Sequence, residues 1–423
     1  MLNIKYSVLA LMGLTVNIAS TWLVYHRYGT SSSSDVYFLS FSILSALQLI
    51  FQSLVEQFTI IFRGKLKSTA VVANPYLKNI LFLMGFVGFA LGLVLVFGSS
   101  YVIQLFSIGI DAGRRIELVQ FSTILFGSLL FYLPFQILCA ALNAIDKIGI
   151  PYLCLAFPPL AVLIVQLVPQ WNIRLENLAW GYSIGSLFAS GVAAFFLHRA
   201  GAFAGKFREF NSSEFFELAR LSIALRSAHN IHSLFLAFAI TNWTSRFPAG
   251  LASNFFYAKK FADAGITIAY GPAQKILLNN FIDSISAGNF SQVRRRLKEA
   301  SFVFPIVFLA LFAFVALGLT IVPYISGAPL KFDVQVVIMC LLLLSVANTL
   351  VSIEVSYAMV NQVNKRVGVI VLANVGFIIL FSITLFITSP FLGIYALPLS
   401  IAIGQISNFA INRRAALALL PRK

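Results

Sequence analysis

The sequence predicts an all-α, polytopic membrane protein of about twelve transmembrane helices, set out as two six-helix lobes related by pseudo-two-fold symmetry. Three observations carry this reading. Of 423 residues, 59% are hydrophobic and only 10% charged, with a mean hydropathy of +0.90. A soluble domain runs near about 25% charged, and this chain could not cover itself with a polar shell. Apolar stretches of the roughly twenty residues that cross a bilayer recur along the whole sequence. The two halves of the chain also echo each other.

The spans lie near 4–25, 36–61, 79–105, 117–142, 150–169, 177–197, 217–245, 250–277, 300–323, 333–359, 367–388 and 391–411. The first follows Lys5 and lacks an A-x-A-like cleavage site, so it reads as a spanning helix and not a signal peptide. Phe157-Pro158-Pro159 in the fifth span and Ala269-Tyr270-Gly271-Pro272 in the eighth predict kinks, because proline removes a helix hydrogen bond. Cys139, Cys154 and Cys340 all fall inside spans and read as small buried hydrophobes.

Lysine and arginine in the loops set the orientation. With the N-terminus inside, inner segments hold 20 of them and outer segments 6. Both termini come out cytoplasmic. The net charge of +16 is then topology signal, and no nucleic-acid partner is expected. The basic run Arg294-Arg295-Arg296 with Lys298 reads as an anchor on anionic membrane lipids.

The repeat shows in two places. Asn143-Ala144-Ile145-Asp146-Lys147 follows the fourth span and Asn361-Gln362-Val363-Asn364-Lys365 the tenth, 218 residues on; Tyr37 and Tyr257 open the second and eighth spans, 220 apart. Six spans per half put both copies in the same orientation, the parallel-repeat arrangement of transporters. The expected division is an N-terminal lobe over 1–198, a cytoplasmic connection over 199–216 and a C-terminal lobe over 217–423.

Charge inside the spans is the main functional signal. Arg226, Lys259 and Lys260 lie near the middle of the seventh and eighth spans. A cation there costs about 2.5–3.5 kcal/mol or more, and persists where it faces a cavity, a partner or an anionic ligand. Arg226, His229, Asn230 and Ser233 fall at i, i+3, i+4 and i+7, one polar stripe on a helix. Asp263 is placed to pair with Lys259 at i, i+4. A cationic lining of a central cavity, built for phosphate or pyrophosphate, is one reading. A structural salt-bridge network, or a misplaced helix boundary, is the other, but Asp263 neutralises one cation of three.

Glu56 and Glu354 fall toward the inner ends of the second and tenth spans. They are candidates for proton or Na⁺ coupling, Glu56 first, or for an inner gate, or else carboxylates near the interface that meet water or a basic loop. His229 and His232, three apart, would need a nearby carboxylate to hold a metal, so no metal and no bound cofactor are expected. The chain has no P-loop, no HExxH and no GxSxG. No outer loop exceeds about a dozen residues, too little for a membrane polymerase or ligase site.

Particular stretches resemble the multidrug/oligosaccharidyl-lipid/polysaccharide exporter superfamily. D-V-Y-F-L-S-F-S and Q-S-L-V-E-Q-F, between Asp35 and Phe58, are similar to the second span of its lipid II flippase branch, Glu56 included. Leu142-Asn143, Lys147 and Gly149-Ile150-Pro151 are similar to its break between spans four and five. Tyr257-Ala258, Ser284, Ala287-Gly288-Asn289 and Arg294 are similar to its eighth span and exit. The resemblance implies two six-helix lobes around a V-shaped cavity, alternating access, and a polyprenyl-pyrophosphate-linked glycan held by cavity cations. Arg226, Lys259 and Lys260 would take that role, with Arg27, near the outer end of the first span, as the secondary candidate. Lipid II flippases typically carry fourteen spans and arginines in the first. Residues 6–25 here hold none, which favours the twelve-span polysaccharide-repeat-unit (O-antigen-type) branch.

The expected function is therefore a flippase, not an enzyme, for an undecaprenyl-pyrophosphate-linked oligosaccharide in a bacterial inner membrane, with polysaccharide assembly proteins as expected partners. A lipid II flippase is the nearest alternative. A cation-coupled drug exporter is the next, although such a pump calls for acidic cavity residues.

Overall fold

A computed structural model describes residues 4–68, 70–107, 110–168, 174–203, 232, 234–247, 250–266, 271–326 and 333–420. Among these there is no strand. The helices are α1 (Ile4–Tyr28), α2 (Ser32–Ser68), α3 (Ala70–Phe97), α4 (Ser99–Phe106), α5 (Ala112–Phe126), α6 (Leu129–Ala144), α7 (Gly149–Leu155), α8 (Phe157–Leu167) and α9 (Glu176–Arg199). They continue with α10 (Leu234–Thr244), α11 (Leu251–Gly265), α12 (Gly271–Ser286), α13 (Phe290–Ser326), α14 (Val334–Val363), α15 (Val367–Leu392) and α16 (Ala396–Ala418).

Every predicted span has helix among its described residues; in the seventh these include α10, and 217–231 lie outside the described residues. Among the described residues six stretches are long and apolar enough to cross a membrane, or seven if α5 and α6, bent by 43°, count as one. One of the six, Val367–Ala418, has 52 residues. That is about 78 Å of helix, more than twice a bilayer core, and a 3₁₀ turn at Gly393–Tyr395 divides it into α15 and α16. The surface agrees. Phe82, Phe86 and Phe97 on α3, Phe302 and Phe314 on α13, and Phe386 and Phe391 on α15 are all exposed. Side chains this apolar on the outside mark a multi-pass membrane protein, whose solvent is lipid.

The predicted proline break of the fifth span is present: it is split into α7 and α8 at Ala156, before Pro158-Pro159. In the eighth, α11 runs to Gly265 and α12 from Gly271, and the predicted break over Ala269-Tyr270-Gly271-Pro272 falls partly on residues 267–270, which lie outside the described residues. The fourth span is split too, at Gly127–Ser128.

The chain forms two compact units: Val8–Tyr28 with Ser32–Ala224, and Met1–Ser7 with Gly29–Ser31 and Leu225–Lys423. In the first, α6 is the central helix, with α2, α3 and α9 packed on it; eleven of its 16 residues are buried. Small residues let the helices close up, as membrane packing requires. A Cβ at Gly185 of α9 would stand 2.7 Å from the Pro158 Cα and 2.8 Å from the Phe157 carbonyl of α8. In the second unit α14 is central, against α11, α13 and α16, while α15 pairs with α16.

The repeat is visible in the helices themselves. Helices α2 and α11 start at Ser32 and Leu251, 219 apart; α9 and α16 end at Arg199 and Ala418, again 219 apart. Helices α6 and α14 end in the same motif. Asp146 and Lys365, also 219 apart, take the left-handed conformation at φ 62° and 57°. The following amide then reaches back five residues, Lys147 N–H to the Leu142 carbonyl and Arg366 N–H to the Asn361 carbonyl, both at 2.9 Å. This is the Schellman ending that satisfies terminal helix carbonyls. The starts match as well: Asp111 caps α5 and Asp333 caps α14 through backbone amides. They are 222 apart, so the first copy holds three more residues, and its break at Gly127–Ser128 absorbs them.

Candidate functional site

Helix α11 carries the described cations. Its N-cap Gly250 has φ +90°, and the Tyr257 hydroxyl donates to the Gly29 carbonyl at 3.3 Å in the same unit. Residues Ala252 to Ala258 are all buried, against α14 and α13. Burial relaxes at the lysines: Lys259, Lys260, Phe261 and Asp263 are half-buried. Lys259 forms the predicted ion pair with Asp263 one turn on; the two side chains are 32% and 45% exposed, so both heads have room. Helix α11 thus holds two lysines against one aspartate. Long lysine stems suit such a place, because their methylenes pack while the ammonium stays accessible.

Arg226, His229 and Asn230, with Ser233, lie outside the described residues, so the predicted stripe of the seventh span does too. Arg27 is exposed in the last turn of α1, its guanidinium carbon 5.5 Å from the Tyr28 ring centroid. His232 packs its ring edge-on against Phe377 of α15, centroids 4.1 Å apart. Among the described residues no three His, Cys, Asp or Glu side chains gather as a metal site would need. Glu56 sits on α2 between the buried Val55 and Gln57, and its side chain lies outside the described set.

Glu354 is where the structure adds most. The residue is buried, only 8% exposed. It lies eleven residues before the α14 terminus motif at Lys365, roughly 16 Å along the helix. Asn412 of α16 donates to it at 2.7 Å. Asn361, two turns further along α14, donates to both the side-chain and backbone oxygens of Asn412, at 3.2 and 3.1 Å. The same two helices bury Asn348, Ser352 and Ser356 on α14 and Ser400, Gln405 and Asn408 on α16. Gln405, Asn408 and Asn412 fall at i, i+3 and i+7, a single face. Among the described residues Asn361 Oδ1 and Asn408 Oδ1 have no donor, and Asn348 Nδ2 no acceptor. Buried polar atoms are rarely left so, and their clustering marks a place to explain. A buried carboxylate in a membrane helix is by default a functional candidate.

Sequence reading singled out Glu354 but not this seam. A signal existed: three amides on one face of the apolar twelfth span.

No family model matches the chain, and no curated protein matches it. Solved structures do. The lipid II flippase MurJ in an inward closed conformation is similar with a TM-score of 0.73 at 16% identity, over 98% of this chain and 87% of that one. The eukaryotic MATE transporter AtDTX14 is similar with a TM-score of 0.76 at 14% identity, over 99% and 94%. An outward-facing multidrug resistance MATE family transporter of the MOP superfamily is similar with a TM-score of 0.74 at 14% identity, over 98% and 95%. The chain has the fold that these transporters share, two six-helix lobes included.

Proposed function

We propose that this chain is a flippase that moves an undecaprenyl-pyrophosphate-linked oligosaccharide across a bacterial inner membrane by alternating access. The observation that carries the reading is the excess of lysine over aspartate midway along α11, where an otherwise apolar helix loosens its burial at Lys259 and Lys260. Cations kept at that cost serve an anion. Lys259, Lys260 and Arg226 are the candidate pyrophosphate-binding residues of the second unit, with His229, Asn230 and Asp263 as polar lining, and Arg27 is a further candidate on α1. The shared fold supports transport, and the named flippase among the similar structures supports a lipid-linked substrate. A drug exporter shares the fold equally well; the sign of the α11 charge is what sets it second.

The coupling ion, a proton or Na⁺, is assigned to Glu354, with Glu56 as the second candidate. The Glu354 carboxylate and the donor-free oxygens of Asn361 and Asn408 are hard oxygen donors of the kind that small cations choose. Both termini are placed in the cytoplasm, and the lobes rock about the 199–216 connection.

The test is translocation of undecaprenyl-pyrophosphate-linked oligosaccharide in reconstituted vesicles, wild type beside Lys260→Ala and Arg226→Ala. Transport by wild type, lost by both variants while they stay folded, supports the reading. Export of a soluble organic cation with no lipid movement overturns it.

A further inference from the structure

The first unit holds a surface of another kind, made by α2, α6 and α9. We infer that Phe41, Gln48, Tyr132, Tyr182, Ser186 and their neighbours form the platform on which the sugars of the substrate rest. This deepens the flippase reading and rests on it.

The surface does not face lipid. Among the described residues, α2 and α6 expose no large apolar side chain. Helix α9 does, through Trp180, Ile184 and Phe188. Tyr182 and Ser186 are offset from those by two residues, about 200° round the helix, so they occupy its opposite side. On α2, Phe41, Ser45 and Gln48 fall at i, i+4 and i+7 and are half-buried or exposed. On α6, Tyr132 and Gln136 are half-buried at i and i+4.

These side chains adjoin one another. The Phe41 and Tyr182 rings meet edge to face with centroids 5.0 Å apart. Tyr37 lies behind Phe41 at 4.6 Å, and the Tyr182 hydroxyl shares a hydrogen bond with Gln48. The Ser45 and Ser186 hydroxyls donate to carbonyls of their own helices, at 2.8 and 2.9 Å. Their oxygens therefore remain as acceptors.

No charged residue occurs on α2 between Asp35 and Glu56, on α6, or on α9 between Glu176 and His198. A cationic drug would want acids here and an anion would want bases. Aromatic faces with amides and hydroxyls, in the absence of charge, match a neutral sugar, which offers C–H faces and hydroxyl groups together. The repeat sharpens this. Lys260 is 219 residues from Phe41, the offset that relates α11 to α2. One copy of the fold thus carries a cation and the other a bare aromatic ring at equivalent places, so the two units differ in the chemistry that they can bind.

The experiment compares binding of bare undecaprenyl pyrophosphate with undecaprenyl pyrophosphate carrying glucose, galactose or N-acetylglucosamine, as mono- and disaccharides. The full chain is used in nanodiscs. Wild type should bind at least one sugar-bearing lipid more tightly than the bare lipid. Tyr182→Phe and Phe41→Leu, which keep the packing, should each lower that preference by about two- to tenfold and leave affinity for the bare lipid unchanged. Lys260→Ala should weaken both lipids by the same factor. Equal binding of bare and sugar-bearing lipids by wild type, or an unaltered preference in both platform variants, overturns the platform and leaves the flippase reading standing. Failure of wild type to bind even the bare lipid overturns the flippase reading itself.

Discussion

Helices α6 and α9 of the first unit and α14 and α16 of the second are the same pair in two copies, yet their interiors are chemical opposites. At the spacing of 219, Asn361 corresponds to Leu142, Ser352 to Leu133, Glu354 to Phe135, Asn408 to Ala189 and Asn412 to Ala193. All five first-unit residues are buried apolar core, none more than 6% exposed. Packing alone is satisfied by leucine, phenylalanine and alanine, as the first copy demonstrates. The second copy buries a carboxylate and several amides in the same scaffold. Two copies of one backbone thus separate what the fold needs from what is added to it, and the polar seam belongs to the addition.

Exchanging residues between the copies tests this. The largest effect is expected from Leu142→Asn, which deletes apolar packing and buries an amide among apolar neighbours. It should destabilise the protein by about 3–5 kcal/mol, read as a fall in thermal unfolding temperature in detergent. A drop within scatter of wild type would mean that the first copy tolerates polar groups too, and the contrast would lose its meaning.

The reverse exchange is expected to be milder. Asn412→Ala removes the hydrogen bond to Glu354 and should cost about 1–3 kcal/mol, because a buried acceptor loses its donor. The double change Glu354→Phe with Asn412→Ala installs the pair of the first copy, Phe135 and Ala193. It should recover much of that stability, since both partners of the bond are replaced by apolar groups and Asn361 still donates to the backbone carbonyl at 412. Transport should nevertheless stop. Full transport by the double variant would make the seam a packing variant without a role in coupling.

The sequence disclosed the scaffold more readily than the site, and the reason is distance along the chain. Span positions, the Pro158-Pro159 break and the Lys259–Asp263 pair depend on residues a few places apart, and among the described residues they are found where expected. The bond between Glu354 and Asn412 joins residues 58 apart, which no local pattern connects. The repeat lies between these cases. Matching residue types pairs Lys147 with Lys365, 218 apart, whereas the backbone pairs Asp146 with Lys365, 219 apart. Backbone geometry needs a left-handed residue at that point, and neither copy uses glycine there, so residue identity slipped by one.

That same point supplies the smallest and most discriminating comparison. Asp146 and Lys365 both hold a conformation that costs a residue with a Cβ roughly 1–2 kcal/mol relative to its relaxed state, and glycine would hold it freely. Only Asp146 has something to offset this. Arg63 of α2 donates to its carboxylate at 3.0 Å and to the Ala144 carbonyl at 2.8 Å, bracing the end of α6. An ion pair with so exposed a carboxylate contributes up to about 1 kcal/mol. Lys365→Gly should therefore stabilise the protein by about 1 kcal/mol, whereas Asp146→Gly should leave it nearly unchanged, relief of the backbone cancelling the lost pair. Thermal unfolding of both variants beside Arg63→Ala decides the matter. Equal stabilisation by the two glycines would show that Arg63 gains nothing from Asp146. A lower unfolding temperature for Lys365→Gly would mean that this lysine, beside Arg366 at the end of α14, contributes more through its charge at the helix terminus than its backbone costs.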